Sequence, residues 1–472
     1  STYFVTAPEK GATVAIMCNL QGARLANLAN DLLAQVAGLS APPKAQDTTA
    51  IDYSDVIEKL RAAVKREVEQ KDLPAFSISL VAGDKMIWAE GFGFEDKEKK
   101  RPATADTIYR VGSVSKLFTD IAVMQLAEKG KVHLDAPVQT YLPEFQPKNP
   151  FGGDITLRRL MSHLSGLVRE PPVGHYFDPT DPTLAATVAS LNQTSLVYPP
   201  GTRIKYSNAA IAVVGAVLEK QLDVSHPEQV EATILRPLGM TNSSFALTPK
   251  VKEHLATAYM RTYDGRRFEA PTFLLGAGPA GNMYSSVVDL GKFISCLFRN
   301  GKYEGGEILS EASLQEMLTP VLDQNGRPQN FGLGFMVRDL DGHRQIGHGG
   351  AVYGFSTQLE ALPDRKIGVA AVAAIDGGNG LVSRLCRYAL QLMLAKQDGK
   401  PLPEYRTTGP IAPERAKAIA GLFQVENSPR WARISRDNEN VFLRNGVYEY
   451  ALRAADDDGT LIVDDVLSFG AV

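Results

Sequence analysis

Tyr109-Arg110-Val111-Gly112-Ser113-Val114-Ser115-Lys116-Leu117-Phe118-Thr119 is the stretch on which the reading of this chain turns. It holds a serine and a lysine three apart, Ser113 and Lys116. It runs on into apolar residues at Leu117, Phe118, Ile121, Ala122, Met124, Leu126 and Ala127, close to the helical period. The pattern predicts an amphipathic helix from Ser115 to Gly130, closed by that glycine. Residues three apart on a helix share a face, so the Lys116 ammonium folds back within reach of the Ser113 hydroxyl. A helix N-terminus also offers free N–H groups and a partial positive charge to an oxyanion forming beside it. A serine hydroxyl becomes a good nucleophile when a neighbouring base takes its proton, and a desolvated lysine can be that base. Taken alone, the pair reads equally well as an N-cap serine with a solvated lysine one turn on.

Two further motifs shift that balance. Tyr206-Ser207-Asn208 follows a Pro199-Pro200-Gly201 turn and precedes a helical run from Ala209 to Lys220, which puts a phenol and an amide on the loop entering a helix. His348-Gly349-Gly350-Ala351 precedes two alternating apolar stretches, Phe355–Leu362 and Lys366–Ile375, read as strands around a Pro363-Asp364 turn. Glycines at a strand end let a ligand backbone approach closely. Each motif by itself is also compatible with a capping asparagine, a buried tyrosine or a satisfied histidine.

Together, in this order, the three motifs resemble those of the penicillin-recognising serine hydrolases. Within them the chain is similar to the class C β-lactamase-related branch, with its family VIII carboxylesterases, D-aminopeptidases and DD-peptidases. Accessory strings agree, among them Leu160–Leu167, Pro237-Leu238-Gly239-Met240, Pro279-Ala280-Gly281-Asn282-Met283 and Phe331-Gly332-Leu333-Gly334-Phe335; the likeness runs from about residue 55 to 395. The resemblance implies a β-lactamase/transpeptidase-like fold of the α/β (α+β) class, with an antiparallel sheet flanked by helices and a helical lobe. It implies that Ser113 is the acylated nucleophile, Lys116 its base, and Tyr206 the proton shuttle to the leaving group. Asn208 would hold an acyl-side amide or orient Lys116, and His348, Gly349, Gly350 and Ala351 would line the substrate, with the N–H groups of Ser113 and Ala351 as oxyanion hole. His163 and Gly166 belong to a family signature and are read as structural. The chain departs from the pattern where a lysine and a hydroxyl usually meet a substrate carboxylate. Here stand His348 and Gly349, and histidine is only partly charged near neutral pH. That favours esters or small peptides over penicillins.

Composition fits an enzyme of more than one domain. With 472 residues the chain exceeds what one core usually serves, and its net charge of −3 gives no footprint for nucleic acid. No apolar run reaches the roughly 18 residues of a membrane helix. Three cysteines, Cys18, Cys296 and Cys386, are too scattered for a disulfide framework and read as buried thiols. The seven histidines show no metal-ligand spacing, so neither metal nor cofactor is expected.

Three segments are expected: an N-terminal extension and linker, 1–48; a hydrolase domain, 49–397; and a linker with a small β-domain, 398–472. The last resembles the start of a lipocalin-like domain but is shorter than a closed eight-stranded barrel requires. Thr6–Met17 is similar to Ala361–Val372, so the first 40 residues read as a second copy of a terminal strand and helix, Gly11–Met17 and Ala23–Leu39. An apolar strand of this kind invites pairing on a sheet edge or a partner chain, which leaves homo-oligomerisation open. The Pro-rich stretch Arg169–Pro182, with His175, Tyr176 and Phe177, is long enough to overhang the site. The leading functional expectation is a serine hydrolase of esters or small amides. A β-lactamase or D-amino-acid peptidase is the alternative, and a non-catalytic scaffold the alternative from another class. The sequence names no compartment: periplasmic or secreted if a leader has been removed, otherwise cytoplasmic.

Overall fold

The computed structural model describes residues 2–7, 12–17, 32, 36, 51–262, 266–424, 429, 431–437, 440–445, 448–455 and 460–471. Residues 1–48 and 49–472 are separate compact units. In the first, β1 (Thr2–Ala7) pairs antiparallel with β2 (Ala12–Met17), with Ala7 opposite Ala12. The strand expected at 11–17 is thus half of a hairpin. Apart from Leu32 and Val36, which are helical, the helix expected over Ala23–Leu39 lies outside the described residues, as do Cys18 and the linker at 40–47.

The second unit begins with α1 (Ser54–Gln70), the hairpin β3 (Ala75–Ala82) and β4 (Lys85–Asp96), and the short edge β5 (Arg101–Pro102). A helical lobe follows, containing α2 (Ser115–Glu128), α3 (Asn208–Leu222) and α4 (Val287–Phe298). The chain then returns as β6 (Met336–Leu340), β7 (His343–Val352), β8 (Phe355–Leu362) and β9 (Ile367–Ala373), and closes with α5 (Asn379–Gln397). The seven strands are antiparallel in the order β6-β7-β8-β9-β3-β4-β5.

Helices cover both faces of this sheet, so β3, β8 and β9 are buried along their whole length and read as continuous rather than alternating apolar runs. One face sets Phe76, Ile78, Leu80, Ile367, Val369 and Ala371 against Val56, Leu60 and Val64 of α1 and Leu385 and Leu392 of α5. On the other, Ala370 and Val372 join the larger core with Leu290, Ile294 and Phe298 of α4. The Ser79 hydroxyl donates to the Val287 carbonyl at 2.8 Å, which satisfies a polar group this face would otherwise strand. Among the described residues no helix is long and apolar enough to cross a membrane.

Helix α2 departs from the expected amphipathic form. Ser115 through Leu126 are all buried, because α2 runs through the middle of the lobe core and has no solvent face. Gly130, at φ +67°, ends it as expected. The C-terminal strands β10 (Gly421–Gln424), β11 (Trp431–Asp437), β12 (Asn440–Asn445), β13 (Tyr448–Ala455), β14 (Thr460–Asp464) and β15 (Phe469–Ala471) form an antiparallel meander in sequential order. Buried charges tie it to the helices packed on the seven-stranded sheet. Lys71 pairs with Glu67 of α1 and, at 2.7 Å, with Asp464 of β14. Arg384 of α5 stands 3.5 Å from Glu67 and 3.6 Å from Asp464, with its guanidinium over the rings of Tyr405 and Phe469. Burial works to raise the Asp464 carboxyl, but Lys71, Thr408 and Arg384 outweigh it and hold the group below its usual range.

Close packing of α4 on β9 depends on Gly368, where an added Cβ would stand 2.6 Å from Ile294 Cγ2. Gly368→Ala is expected to lower stability by about 1–3 kcal/mol, as overpacking does. Adding Ile294→Ala should recover part of that loss in urea unfolding; strictly additive losses would contradict this packing.

Candidate active site

Ser113 sits on a single 3₁₀ turn, Gly112–Val114, directly before α2, rather than on the first residue of the α-helix. Two glycines let this turn lie against β7. Gly112 has φ +52°, and a Cβ there would meet the Ala351 backbone N at 2.8 Å; a Cβ on Gly350 would stand 2.0 Å from the Val111 carbonyl oxygen. The Ser115 hydroxyl donates to the Gly112 carbonyl at 2.5 Å and accepts from the Met283 N–H at 3.0 Å, which pins the turn from the other side.

Lys116 is fully buried, with Nζ 3.0 Å from Ser113 Oγ and 2.7 Å from the Ala280 carbonyl oxygen, to which it donates. The accessory string Pro279–Met283 therefore serves the site directly, because it supplies the acceptor that aims the lysine. Burial lowers the Lys116 pKa to about 7, against the opposing charges of Glu170 and Asp120 and with help from Arg169. Asp120, one turn further along α2, is buried with both carboxyl oxygens unpartnered; burial pushes it well above the usual carboxylate range, and Lys116 opposes that shift.

Tyr206 projects from the loop before α3. Its ring packs at a 40° tilt against His163, 4.3 Å between centroids, Lys116 Nζ stands 5.0 Å from the ring centre, and the Arg169 guanidinium stands 5.1 Å from it. Burial raises the phenol above its usual range, so it keeps its proton. Ser113 lies near enough to counter that shift in part but outside hydrogen-bonding geometry, and the phenol oxygen has no partner. His163, at φ +61°, is buried; its Nδ1 accepts from the Ser207 N–H at 3.3 Å, which locks the loop carrying Tyr206. Gly166 is needed because a Cβ there would collide with the Tyr198 carbonyl oxygen at 2.0 Å.

Ser113, Asn208 and Ala351 line one narrow cleft of about 310 Å³, together with Glu170, Gly174, Tyr176 and Val352. His348 does not line it. Its imidazole is buried, 5.9 Å from the Tyr206 ring, with Nδ1 against the Gly349 carbonyl. Burial, with Lys116 adding to it, lowers its pKa to about 3, so the partial charge expected from the sequence is absent and the ring is neutral. Gly350 acts here as the strand residue that admits the Ser113 turn, whereas a Cβ on Gly349 would stand 2.9 Å from Gln358 Oε1. The Gly350 carbonyl accepts from Asn379 Nδ2 at 2.7 Å.

Three groups escaped the sequence reading as individual residues: Glu170, Arg169 and Asp120. The signal for the first two was their position, just past the Leu160–Leu167 string in the loop expected to overhang the site. That loop does contribute Gly174 and Tyr176 to the cleft. Tyr176 stacks on Tyr353 at 4.5 Å and accepts a hydrogen bond from its hydroxyl through its carbonyl. Among the described residues no group of three or more histidine, cysteine, aspartate or glutamate side chains is placed to hold a metal ion.

A family model described as Beta-lactamase matches residues 60–393. The chain is 31% identical over 317 residues to Beta-lactamase-like protein 2 of Dictyostelium discoideum, covering 65% of this chain and 57% of that relative. Among solved structures, the octameric penicillin-binding protein homologue from Pyrococcus abyssi superposes with a TM-score of 0.65 at 25% identity, covering 87% of this chain and 97% of the other. A D-stereospecific amidohydrolase from Streptomyces sp. gives 0.56 at 26% identity, covering 69% and 95%.

If Lys116 must be neutral to accept a proton, acylation should rise about tenfold per pH unit below pH 7 and level off above it. Lys116→Arg, which stays charged throughout, should be nearly inactive at every pH. A profile flat from pH 5 to 9 would exclude the lysine as base.

Proposed function

The chain belongs to the beta-lactamase family, and from that membership we propose that it is a serine acyl hydrolase cleaving ester or small amide bonds through an acyl-enzyme on Ser113. The observation that carries this reading is the 3.0 Å approach of a fully buried Lys116 to the Ser113 hydroxyl. With Lys116 neutral, the hydroxyl becomes the donor, and Ser113 Oγ attacks the substrate carbonyl carbon as its proton passes to Nζ. The Ser113 and Ala351 N–H groups would receive the oxyanion. As the bond to the leaving group breaks, that group takes the proton by way of the Tyr206 hydroxyl, a donor with no other partner. Water then adds to the acyl-enzyme by the reverse sequence, with the Lys116–Tyr206 pair as base.

The substrate expectation follows from charge and space. The cleft is narrow, and because its 310 Å³ of empty space includes open solvent, its enclosed part is smaller still, which suits short acyl groups. His348, at the position where a carboxylate-binding lysine stands in the resemblance, is neutral. Arg169 faces the Tyr206 ring and Glu170 and does not line the cleft. These features support esters over penicillins as substrates, and they make the β-lactamase reading the weaker of the two.

Mass spectrometry after fluorophosphonate treatment should find one adduct on Ser113, and Ser113→Ala should lose both the adduct and turnover while keeping its unfolding midpoint. Unchanged turnover in that variant would refute the assignment. Short-chain p-nitrophenyl esters should be cleaved at least about 100-fold faster than benzylpenicillin, a gap of about 2.7 kcal/mol in transition-state stabilisation. Comparable rates would show that the site meets a carboxylate after all.

A further inference from the structure

Glu170 is the one charged side chain among the residues lining the cleft with Ser113. Its position is built rather than incidental. The segment Val168–Glu170 lies across the start of α3: the Ser207 hydroxyl donates to the Val168 carbonyl at 2.6 Å, and the Asn208 and Ala209 N–H groups donate to the Arg169 carbonyl at 2.8 and 3.2 Å. Glu170 Oε1 accepts from Asn208 Nδ2 at 2.6 Å. That bond fixes which way the Asn208 amide faces, because its nitrogen is committed to the carboxylate. Among the described residues Oε2 accepts no hydrogen bond. Arg169 Nε approaches Oε1 only at 3.4 Å, from a side chain that is 59% exposed. Exposed pairs of this kind are weak and screened.

The cleft therefore offers acceptors beside the nucleophile, a carboxylate oxygen and the Asn208 side-chain carbonyl, and no cation at its lining. We propose that Glu170 is a specificity-determining residue that receives a cationic ammonium group on the acyl half of the substrate, so that the preferred substrates are amino-acyl esters or amides with a free amine. The acyl half belongs in the cleft because the leaving group must meet Tyr206, which lies outside the lining. A short amino-acyl group suits the small volume. The proposal rests on Ser113 being the acylated nucleophile.

The test compares alanine p-nitrophenyl ester and p-nitroanilide, in L and D forms, with their N-acetyl counterparts, on the full chain at pH 7. Charge-assisted hydrogen bonds predict a free-amine preference in kcat/KM of about 10- to 100-fold. The preference should collapse as the substrate amine loses its proton near pH 8. Glu170→Gln, which can still accept from Asn208, should bring the ratio near one, and Glu170→Lys should shift preference to N-succinyl substrates. If both substrate classes fall together in Glu170→Gln with the ratio unchanged, Glu170 merely supports Asn208 and the proposal is overturned. If the wild-type ratio is near one while esters are hydrolysed and Ser113 is labelled, the proposal alone is overturned. If Ser113 is not labelled and nothing is hydrolysed, the hydrolase reading fails and takes the proposal with it.

Discussion

The site depends on a backbone-to-backbone approach: the Val111–Ser113 turn lies directly on strand β7, with the space of two missing Cβ atoms between them. Gly112 and Gly350 are the residues that lack them, one on each side of the contact. Everything that the chemistry needs is referred to this contact. It sets Ser113 and Ala351 at the mouth of one cleft, and α2, which starts directly after the turn, carries Lys116 into the core behind them. Side chains in this region are held by carbonyls and N–H groups of other segments more than by one another. Lys116 leans on Ala280, Ser115 on Gly112 and Met283, and Ser207 on Val168. Main-chain partners of this kind cannot rotate away, which gives preorganisation without further side-chain order.

Much of this was legible in the chain itself, for identifiable reasons. The S-x-x-K spacing is a local property of helical geometry, so the approach of Lys116 to Ser113 could be anticipated. Strands β8 and β9 were visible as apolar runs on either side of the Pro363-Asp364 turn. What was not legible depends on contacts distant in sequence. Nothing local to α2 says that it will be buried on every side, and so its pattern reads as amphipathic. Histidine at 348 carries an intrinsic pKa that predicts partial charge; only burial beside Lys116 removes it. Glu170 is inconspicuous in sequence because its significance comes from α3, 38 positions on, whose first residue donates to it.

The electrostatics of the site are a contest between desolvation and a few near charges. Desolvation is the larger influence on Lys116, Tyr206 and His348, and it acts in opposite directions on cations and on the phenol. The outcome is a neutral His348, a protonated Tyr206 and a Lys116 that is about half charged at pH 7. A lysine poised in this way can take up a proton and give it up again near neutrality at little cost. Asp120 fits the same rule: a buried carboxyl without partners is better tolerated as the neutral acid.

The ion cluster of Lys71, Glu67, Arg384 and Asp464 bears on how separable the parts of this protein are. Glu67 belongs to α1 and Arg384 to α5, the two helices that roof one face of the seven-stranded sheet, whereas Asp464 comes from the terminal meander. Removing the meander would leave Arg384 and Lys71 facing Glu67 alone and strip Arg384 of the Phe469 ring beneath it. Breaking a buried pair by deleting one partner commonly costs about 3–5 kcal/mol, because an uncompensated charge stays behind. The tail is thus not a passenger that can be exchanged between relatives at will. Loss of the meander leaves buried charges at positions 67, 71 and 384 that were balanced against it, so these three residues and the meander form one electrostatic unit.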